Sequence, residues 1–503
     1  MKRLGLYFLA ILTGIITGIV TIPYRYLIEK SIYIRKIMFS HDQTLLFHIG
    51  VIGVLFAIVV LINKFIEIYP LISGSGIPQA RGQTYGRFKM KYPVKDFTLK
   101  FIGGILGISS GFSLGREGPS VQVGALIGEW LSKVFNVNKI GRKYLIMSGS
   151  SAGLSSAFTA PLASTLFVAE ELEHYFNYKL IIFSFLGAIT SGYMAACVFT
   201  NNDFAGIPRV YPANYTIWGC IIVLVIFSIF MSIIGKSFTT SLVFFQKLYR
   251  QLQMNKYIKL FILAITVYLM GTFFLELTAG GEGYLIQNPE AINTSFGVLV
   301  SAIVVKLLFS TLSYASGFPG GIFLPLLVIG GLSGKLFGLV LVHMHIIEPI
   351  NIGIFILLGM ASAFIVVVRS PVTGIILILE MTGNFEMLPV MTITGAVTYI
   401  VSYLMNVNPI YDILYEGIKQ RDNNTGTTEL VFEIGSGSYF SQRRVKDIIL
   451  PEDCKITSLE RKKVDLQITE DLLIDNEDII GITVNRVDIE KYYNVFRTMS
   501  NET

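Results

Sequence analysis

Gly115-Arg116-Glu117-Gly118-Pro119-Ser120-Val121-Gln122 interrupts a strongly apolar chain with a glutamate between glycines, just before a proline and a new apolar stretch. Glycine and proline break helices, and proline is well tolerated in the first turn of the next one. A carboxylate at membrane depth is costly and by default marks an ion or proton pathway. The segment therefore predicts a broken membrane helix that restarts near Glu117, and a functional role for that side chain.

The surrounding composition is that of a membrane protein. The chain has 503 residues, of which 52% are hydrophobic and 15% charged, and its mean hydropathy is +0.62. Several apolar windows reach the roughly 20 residues that a helix needs to cross a bilayer. Others are cut by glycine and proline, as in Gly317-Phe318-Pro319-Gly320-Gly321. These features predict an all-α polytopic membrane protein.

The basic residues are best explained by membrane topology. Lysine and arginine near helix ends tend to stay in the cytoplasm, which places the N-terminus there together with a basic segment: Arg81, Arg87, Lys89, Lys91 and Lys95. The net charge of +6 therefore does not indicate a nucleic-acid partner.

The sequence carries no pattern typical of a metal site, a cofactor site or an enzyme. The five histidines are scattered and the three cysteines form no motif. Neither H-E-x-x-H nor G-x-S-x-G is present. A receptor or scaffold could share the apolar composition, but it would not explain repeated glycine-proline breaks in the helices.

The chain divides at a polar linker. Residues 1–418 form the predicted membrane domain, residues 419–428 the linker, and residues 429–503 a small cytoplasmic α+β domain. Within that domain, residues 429–434 and 478–484 have the composition of strands, and residues 488–497 that of a closing helix.

The membrane domain contains an internal repeat at an offset of 206 residues. It pairs Gly111-Phe112 with Gly317-Phe318, Gly115 with Gly321, Pro119 with Pro325, Gly124 with Gly330, Gly128 with Gly334, Gly153 with Gly359, and Ser156-Ala157-Phe158 with Ser362-Ala363-Phe364. After a shift of four residues, 161–170 aligns with 371–380. Repeats with broken segments at matching positions predict a transporter whose binding site lies between the two halves, near the middle of the membrane. Coincident helix-packing glycines are the alternative explanation.

The repeat maps Glu117 onto Phe323, so each half contributes one predicted helix start. Helix starts carry unpaired N–H groups and a partial positive charge, and two that converge would bind an anion. The alternative is that Glu117 only stabilises its own helix, by about 1 kcal/mol or less.

Four segments resemble, in order and spacing, the anion-site elements of the CLC chloride channels and transporters. They are Gly74-Ser75-Gly76-Ile77-Pro78, Gly115-Arg116-Glu117-Gly118-Pro119, Gly321-Ile322-Phe323-Leu324-Pro325 and Tyr411, with residues 370–383 in support. The resemblance covers about residues 4–415. It implies two inverted repeats with broken and re-entrant helices, and a homodimer embedded in cell-membrane lipid with both termini in the cytoplasm.

The resemblance also implies which residues bind the anion. The central site would use the hydroxyl groups of Ser75 and Tyr411 and the N–H groups of Ile322 and Phe323. The outer site would use the backbone around Arg116, Glu117 and Gly118. Hydroxyls and amides suit a halide because they replace its hydration without holding it too tightly. Relatives that favour nitrate often carry proline at position 75, so the serine found there indicates chloride.

Two carboxylates carry the predicted mechanism, and the second of them decides between an exchanger and a channel. Glu117 resembles the gating glutamate of the family, which competes with chloride when ionised and moves away when protonated. Glu171 aligns with the inner proton-transfer glutamate of exchangers, where channels usually carry an apolar residue. The resemblance thus predicts a proton-coupled chloride antiporter, transporting chloride and protons, with Glu170 structural. The alternatives are a passive voltage- or pH-gated chloride channel and, for Glu170, Glu171 and Glu173, a solvated helix end.

The C-terminal segment resembles the regulatory domain of prokaryotic potassium-uptake and potassium-channel assemblies, notably at 445–451 and 475–480. The resemblance implies a dimerising domain with a possible small-molecule ligand. The alternative is a dimer-stabilising or vestigial domain.

Overall fold

The computed structural model describes residues 3–88, 93–199, 217–283, 295–419, 426–461 and 464–500. Within these ranges, nine helices are long and apolar enough to cross a membrane. The prediction of a multi-pass helical protein is therefore confirmed. Lys89, Lys91 and most of the predicted linker lie outside the described residues.

The helices of the membrane domain are numbered here in chain order. They are α1 Arg3–Met38, α2 Leu45–Ile68, α3 Ile77–Thr84, α4 Pro93–Ser109, α5 Glu117–Val134, α6 Lys139–Phe158, α7 Pro161–Phe167, α8 Tyr178–Val198, α9 Ile217–Gln251, α10 Lys256–Phe273, α11 Phe296–Ala315, α12 Phe323–His343, α13 Ile352–Val368, α14 Pro371–Thr382, α15 Leu388–Leu404 and α16 Ile410–Lys419. A π-helical turn, Val168–Leu172, continues α7. Helices such as α3 and α14 are too short to span a bilayer.

The repeated glycines lie where helices of each half pack closely. A Cβ atom at Gly124 of α5 would clash with the carbonyl oxygen of Gly149 in α6. The repeat-related Gly330 of α12 faces the carbonyl oxygen of Gly359 in α13 in the same way. Small residues allow such close backbone approach between membrane helices. The glycines are thus packing residues, and their common offset arises because both halves pack alike.

The two halves meet at their repeat-related glycines. The N–H of Gly115 donates to the carbonyl of Gly321 at 2.7 Å, and the N–H of Gly321 donates back to Gly115 at 2.6 Å. This antiparallel bridge lies immediately before the starts of α5 and α12. It places the two predicted helix starts side by side, and the two bridged segments run antiparallel.

Glu170 takes part in a second set of reciprocal hydrogen bonds between the two halves. Its carboxylate accepts backbone hydrogen bonds from Val372 at 3.2 Å and Thr373 at 2.8 Å, at the start of α14. The repeat-related Glu380 accepts equivalent bonds at the start of α7. Carboxylates at helix N-termini satisfy unpaired N–H groups and complement the helix dipole. Glu170 therefore has a structural role.

The C-terminal domain is a small antiparallel α+β unit. Its strands are β1 Thr427–Glu433, β2 Arg443–Arg444, β3 Lys455–Arg461, β4 Val464–Leu466, β5 Leu473–Ile474 and β6 Ile479–Asn485, and its helix is α17 Ile489–Ser500. One sheet has the order β1-β6-β3-β4, and β2 pairs with β5. Alternate residues of β1 and most residues of β6 are buried, and their apolar side chains share one core with α17. The predicted strands and closing helix, and with them the fold class, are confirmed.

This domain docks directly onto the membrane domain. Tyr85, just after α3, packs into the apolar core of the domain with its ring centroid 4.6 Å from that of Tyr493. Glu173 is 1% exposed; its Oε2 forms an ion pair with Lys143 at 2.8 Å and accepts a hydrogen bond from the Tyr493 hydroxyl at 2.9 Å. The face that carries the C-terminal domain is called the domain side below, and the opposite face the far side.

Candidate anion and proton site

Four broken-helix starts surround one buried region. Gly76 caps α3 with a φ of 101°, and α5 and α12 begin at Glu117 and Phe323. Tyr411 lies in the first turn of α16. Helix starts leave N–H groups without intrahelical partners and carry a partial positive charge. The backbone at these helix starts therefore makes the region electropositive.

Ser75 and Tyr411 meet at the centre of this region. The Ser75 hydroxyl lies beside the Tyr411 hydroxyl, and each residue is 1% exposed. Within the described residues neither oxygen has a hydrogen-bond partner of normal geometry. Buried hydroxyls without partners are costly and uncommon. Both donors are available to an anion.

Aromatic rings form the apolar wall of the same pocket. The ring centroid of Phe323 lies 5.3 Å from Phe158 and 4.6 Å from Phe364, which are repeat-related. Phe167 contacts both Phe323 at 5.8 Å and Tyr411 at 6.5 Å. Such a wall excludes water and strengthens the electrostatic attraction between an anion and nearby amides and hydroxyls. Few polar groups in an apolar wall are the expected environment for a weakly basic halide.

Glu117 lies between the two halves. The side chain is fully buried, and its carboxylate lies close to its own N–H and to that of Leu324 in the first turn of α12. Neither carboxylate oxygen has a partner of normal geometry among the described residues. The carboxylate thus occupies the space that two converging helix starts make favourable for an anion.

The side chain of Arg116 points away from this space. Its guanidinium forms an ion pair with Glu29 of α1 at 2.8 Å, and Glu29 also pairs with Arg25 at 2.8 Å. These contacts fix the start of α5 against α1. The structure gives the Arg116 side chain a structural role, while its backbone caps α5.

Gly118 allows α5 to approach Ser75. A Cβ atom at this position would collide with the carbonyl and hydroxyl oxygens of Ser75. We expect Gly118→Ala to weaken chloride binding by about fivefold to a hundredfold, since overpacking costs about 1–3 kcal/mol and about 1.4 kcal/mol is a factor of ten. Calorimetric titration of the purified protein measures this loss. Gly50→Ala on α2, where a Cβ meets open space, is the control, and equal affinities for the two variants would contradict the prediction.

Glu171 forms the second buried carboxylate, towards the domain side. It is 2% exposed within the π-helical turn, and its Oε2 accepts a hydrogen bond from the Ser370 hydroxyl at 3.0 Å. Arg81 and Asp412, themselves paired at 2.6 Å, act on it electrostatically. The alternative of a solvated helix end is wrong for Glu171, as it is for the buried Glu173.

Tyr411 connects the two buried carboxylates. Its phenol group interacts electrostatically with both Glu171 and Glu117. The structure thus brings together the residues that the sequence proposed for anion binding and those proposed for proton transfer.

The site has a cavity on each side. A far-side cavity of about 230 Å³ is bordered by Arg35, Arg116, Glu282 and Leu324. A domain-side cavity of about 280 Å³ is bordered by Gly74 and Tyr314. In the part of the chain that the structure describes, no group of three or more His, Cys, Asp or Glu side chains could hold a metal ion.

Sequence reasoning missed two buried lysines near the site, Lys100 on α4 and Lys306 on α11. Both are fully buried, and they are related by the offset of 206 that relates the glycine motifs. A charge at matching positions of two apolar helices was the signal that could have identified them.

Comparisons with known proteins agree with this architecture. Residues 53–403 match the family described as "Voltage gated chloride channel". The H(+)/Cl(-) exchange transporter ClcA of Vibrio campbellii is 34% identical over 371 residues, which is 72% of this chain and 77% of that protein. The ClcA of Vibrio parahaemolyticus is 34% identical over 362 residues, 70% of this chain and 76% of that protein.

Solved structures show the same fold. A slow cyanobacterial Cl⁻/H⁺ antiporter matches with a TM-score of 0.76 at 24% identity, covering 83% of this chain and 99% of that one. A CLC-type fluoride/proton antiporter matches at 0.68 and 22% identity, covering 82% and 97%. A eukaryotic CLC transporter matches at 0.67 and 20% identity, covering 82% and 74%. With its broken-helix motifs, its paired halves and a family match over most of the membrane domain, the chain belongs to the voltage gated chloride channel family.

Proposed function

We propose that this protein exchanges chloride for protons across the membrane. The observation that carries the proposal is that two buried carboxylates, Glu117 and Glu171, both interact electrostatically with the phenol group of Tyr411. The names of the curated relatives as H(+)/Cl(-) exchange transporters support the same activity. Family membership favours transport over catalysis.

Coupling follows from competition for the amide pocket. When ionised, Glu117 and chloride are both anions, and the helix starts of α5 and α12 can stabilise only one of them there. When protonated, the side chain loses this attraction and leaves the pocket to chloride. The chloride pathway would include the hydroxyls of Ser75 and Tyr411 and the first amides of α12, at Ile322 and Phe323.

Glu171 would load protons by a route separate from that of chloride. The domain-side cavity touches Gly74, next to Ser75, whereas Glu171 is not among the residues that border it. Separate entries from one side allow both ions to reach the centre without occupying one path. This separation favours an exchanger over a passive chloride channel, in which a second buried carboxylate would have no task.

We further propose that the domain side is cytoplasmic and that the protein forms a homodimer in the cell membrane. Basic side chains on that face, such as Lys139, Arg142 and Lys179, agree with the tendency of lysine and arginine to remain inside. They pair with carboxylates there, Lys139 with Glu429 and Lys179 with Glu433.

The decisive experiment uses purified protein in liposomes, with the chloride gradient and the pH gradient imposed separately. We expect a chloride gradient alone to drive protons uphill, and a pH gradient alone to drive chloride. Chloride flux without any proton movement would refute antiport and establish a passive channel.

The C-terminal domain would regulate exchange through the segment that carries Glu171. Tyr85 donates a hydrogen bond to the carbonyl of Leu172 at 3.1 Å, and Tyr493 holds Glu173. The domain therefore contacts Glu173 directly, and it contacts Leu172 indirectly through Tyr85, a membrane-domain residue that packs into its core. Movement of the domain would shift the π-helical turn. A small-molecule ligand of the domain would act through this contact.

We expect Tyr493→Phe to loosen the docked domain, because a hydrogen bond to a buried charged group contributes about 1.5–3 kcal/mol. Amide hydrogen exchange around Leu172 should accelerate at least about tenfold. Tyr439→Phe, which removes a hydroxyl that accepts a hydrogen bond from the backbone of Ile449 within the C-terminal domain, should leave that exchange unchanged. Equal exchange rates in the two variants would argue against a role for the Glu173 contact.

Docking should also weaken in acid. Although burial opposes it, the hydrogen bonds from Lys139 and Ser458 hold the pKa of Glu429 below its usual value. A folded-state pKa below the unfolded-state value means that the folded protein stabilises the ionised form of Glu429. This contribution to stability is therefore present above the ordinary pKa of glutamate. It is lost as the pH falls through the lowered value.

A further inference from the structure

A charged cluster on the domain side lies beside the buried Glu171. Glu171 is 2% exposed, so a proton from the solution needs an intermediate group to reach it. Arg81 of α3 and Asp412 of α16 act on it electrostatically, and Arg81 pairs with Oδ1 of Asp412 at 2.6 Å. His174 completes the cluster, because its Nε2 lies 3.8 Å from the same Oδ1 of Asp412.

The members of this cluster differ in their exposure to water. The side chain of Arg81 is 13% exposed, that of His174 41% and that of Asp412 43%. The imidazole and the Asp412 carboxylate are therefore in contact with the solution, while the same carboxylate acts on the buried Glu171. Histidine is the side chain whose ordinary pKa lies close to neutral pH, which suits it to shuttling protons. The cluster thus links water to the proposed proton-loading group.

Helix α16 separates this cluster from the cavity proposed for chloride. Successive residues of a helix point in different directions. Asp412 faces Arg81 and His174, whereas the next residue, Ile413, borders the domain-side cavity. Neither Asp412 nor His174 is among the residues that border that cavity. A proton taken up by the cluster therefore does not share the entrance proposed for chloride.

The backbone of His174 has a left-handed conformation, with a φ of 51°. Residues other than glycine adopt this conformation uncommonly, and such positions cluster at functional sites. Helix α17 of the C-terminal domain contacts the residues on either side of it. Tyr493 donates a hydrogen bond to Glu173 at 2.9 Å, and the guanidinium of Arg497 lies 4.5 Å from the ring centroid of Tyr175. The docked domain thus fixes the segment that carries the imidazole.

The charged groups around the imidazole favour release of a bound proton. Burial and the charge of Arg81 lower the pKa of His174, and the opposing charges of Asp412 and Glu173 compensate only in part. An imidazolium with a lowered pKa gives up its proton more readily than an ordinary one. The neutral ring that remains can accept the next proton from the solution.

We propose that His174 and Asp412 form the proton relay between the domain-side solution and Glu171. In each cycle the imidazolium passes one proton, by way of Asp412, to the ionised carboxylate of Glu171, and the neutral ring regains one from water. Arg81 keeps its charge throughout and orients Asp412. The relay rests on the proposed exchange of chloride for protons. It also gives the C-terminal domain a means of control, because displacement of α17 would move His174 away from Asp412.

His174→Asn tests the relay, because asparagine tolerates the left-handed backbone but does not titrate near neutral pH. The measurement is the number of protons moved per chloride in liposomes with the same pH on both sides, at a series of pH values. In the unmodified protein we expect a nearly constant ratio from neutral to mildly acidic pH. In His174→Asn the ratio should fall about tenfold at neutral pH, since a positioned acid–base group accelerates proton transfer about 10²–10⁴-fold. It should recover in acid, where hydronium ions supply the remaining groups directly.

Further variants separate the relay from effects on the backbone. Asp412→Asn should reproduce the loss, whereas Asp412→Glu keeps the carboxylate and should retain most of the ratio. The matched control is His345→Asn, because His345 is also exposed and has a similar φ of 56° but lies outside the cluster. This control should keep the normal ratio at every pH.

An unchanged ratio in His174→Asn would overturn the relay. A loss of chloride flux together with proton flux, or a low ratio that acid does not restore, would also overturn it, because a purely structural role predicts those results. If His174→Asn does not fold, His174→Gln must show the same loss and the same recovery in acid. Failure of the proposed exchange gives a distinct result: the unmodified protein would then move chloride without protons, which would refute the exchange and the relay together.

Discussion

Glu117→Gln should abolish proton movement while chloride flux continues. The amide is nearly the same size as the carboxylate but carries neither a negative charge nor a proton that it can exchange. It therefore cannot compete with chloride for the pocket between the starts of α5 and α12, and it cannot carry a proton through it. We expect proton flux to fall to that of protein-free liposomes, and chloride flux to become independent of pH.

The measurement is paired recording of chloride and proton flux from liposomes at several pH values. Glu276→Gln, an exposed carboxylate at the far-side cavity, is the matched control and should retain full coupling. Proton transport that survives in Glu117→Gln would show that protons bypass the anion pocket. The proposed competition between carboxylate and chloride would then be wrong.

The features best predicted from the sequence are those that depend on residues adjacent in the chain. Helix breaks at Gly115–Pro119 and Gly321–Pro325 follow from glycine and proline chemistry, which acts locally. The repeat could be recognised because both halves have glycines at the same close contacts between helices, as at Gly124 and Gly330. Those features predicted the fold and the location of the site.

Contacts between distant parts of the chain could not be predicted in this way. The carbonyl oxygens bound by Lys100 and Lys306 lie in other segments, and nothing local reveals which groups compensate a buried ammonium. The docking of the C-terminal domain depends on Tyr85, a residue of the membrane domain that belongs to the core of the other. Such pairings arise from tertiary packing, which residue patterns do not encode directly.

Glu170 and Glu171 show the same limit at adjacent positions. Successive residues of a helix point in different directions, so neighbouring carboxylates enter different environments. Glu170 reaches the start of α14, where backbone N–H groups hold it. Glu171 turns inward, where Ser370 bonds one oxygen and the other has no partner among the described groups. A fully bonded carboxylate is suited to a structural task, and a partly bonded one to exchanging a proton.

Glu171→Gln provides the second large effect, and its signature differs from that of Glu117→Gln. Removing the proton-loading group should reduce proton flux to the background of empty liposomes, because Glu117 then has no supply from the domain side. Chloride flux should persist and should still depend on pH, since Glu117 can take up protons from the far side. Paired flux measurements with the pH changed on one side at a time would reveal this asymmetry.

The matched control is Glu416→Gln, an exposed carboxylate on the domain side, which should leave coupling intact. Chloride flux that is lost together with proton flux would mean that Glu171 supports the fold of the anion site and not proton loading. Coupled exchange that continues at its normal rate would mean that protons reach Glu117 from the domain side by another group. Glu171 is identified as the entry of a separate proton path only if proton flux is lost while chloride flux persists and still depends on pH. That result alone requires the proton route and the chloride route to be separate between Tyr411 and the domain side.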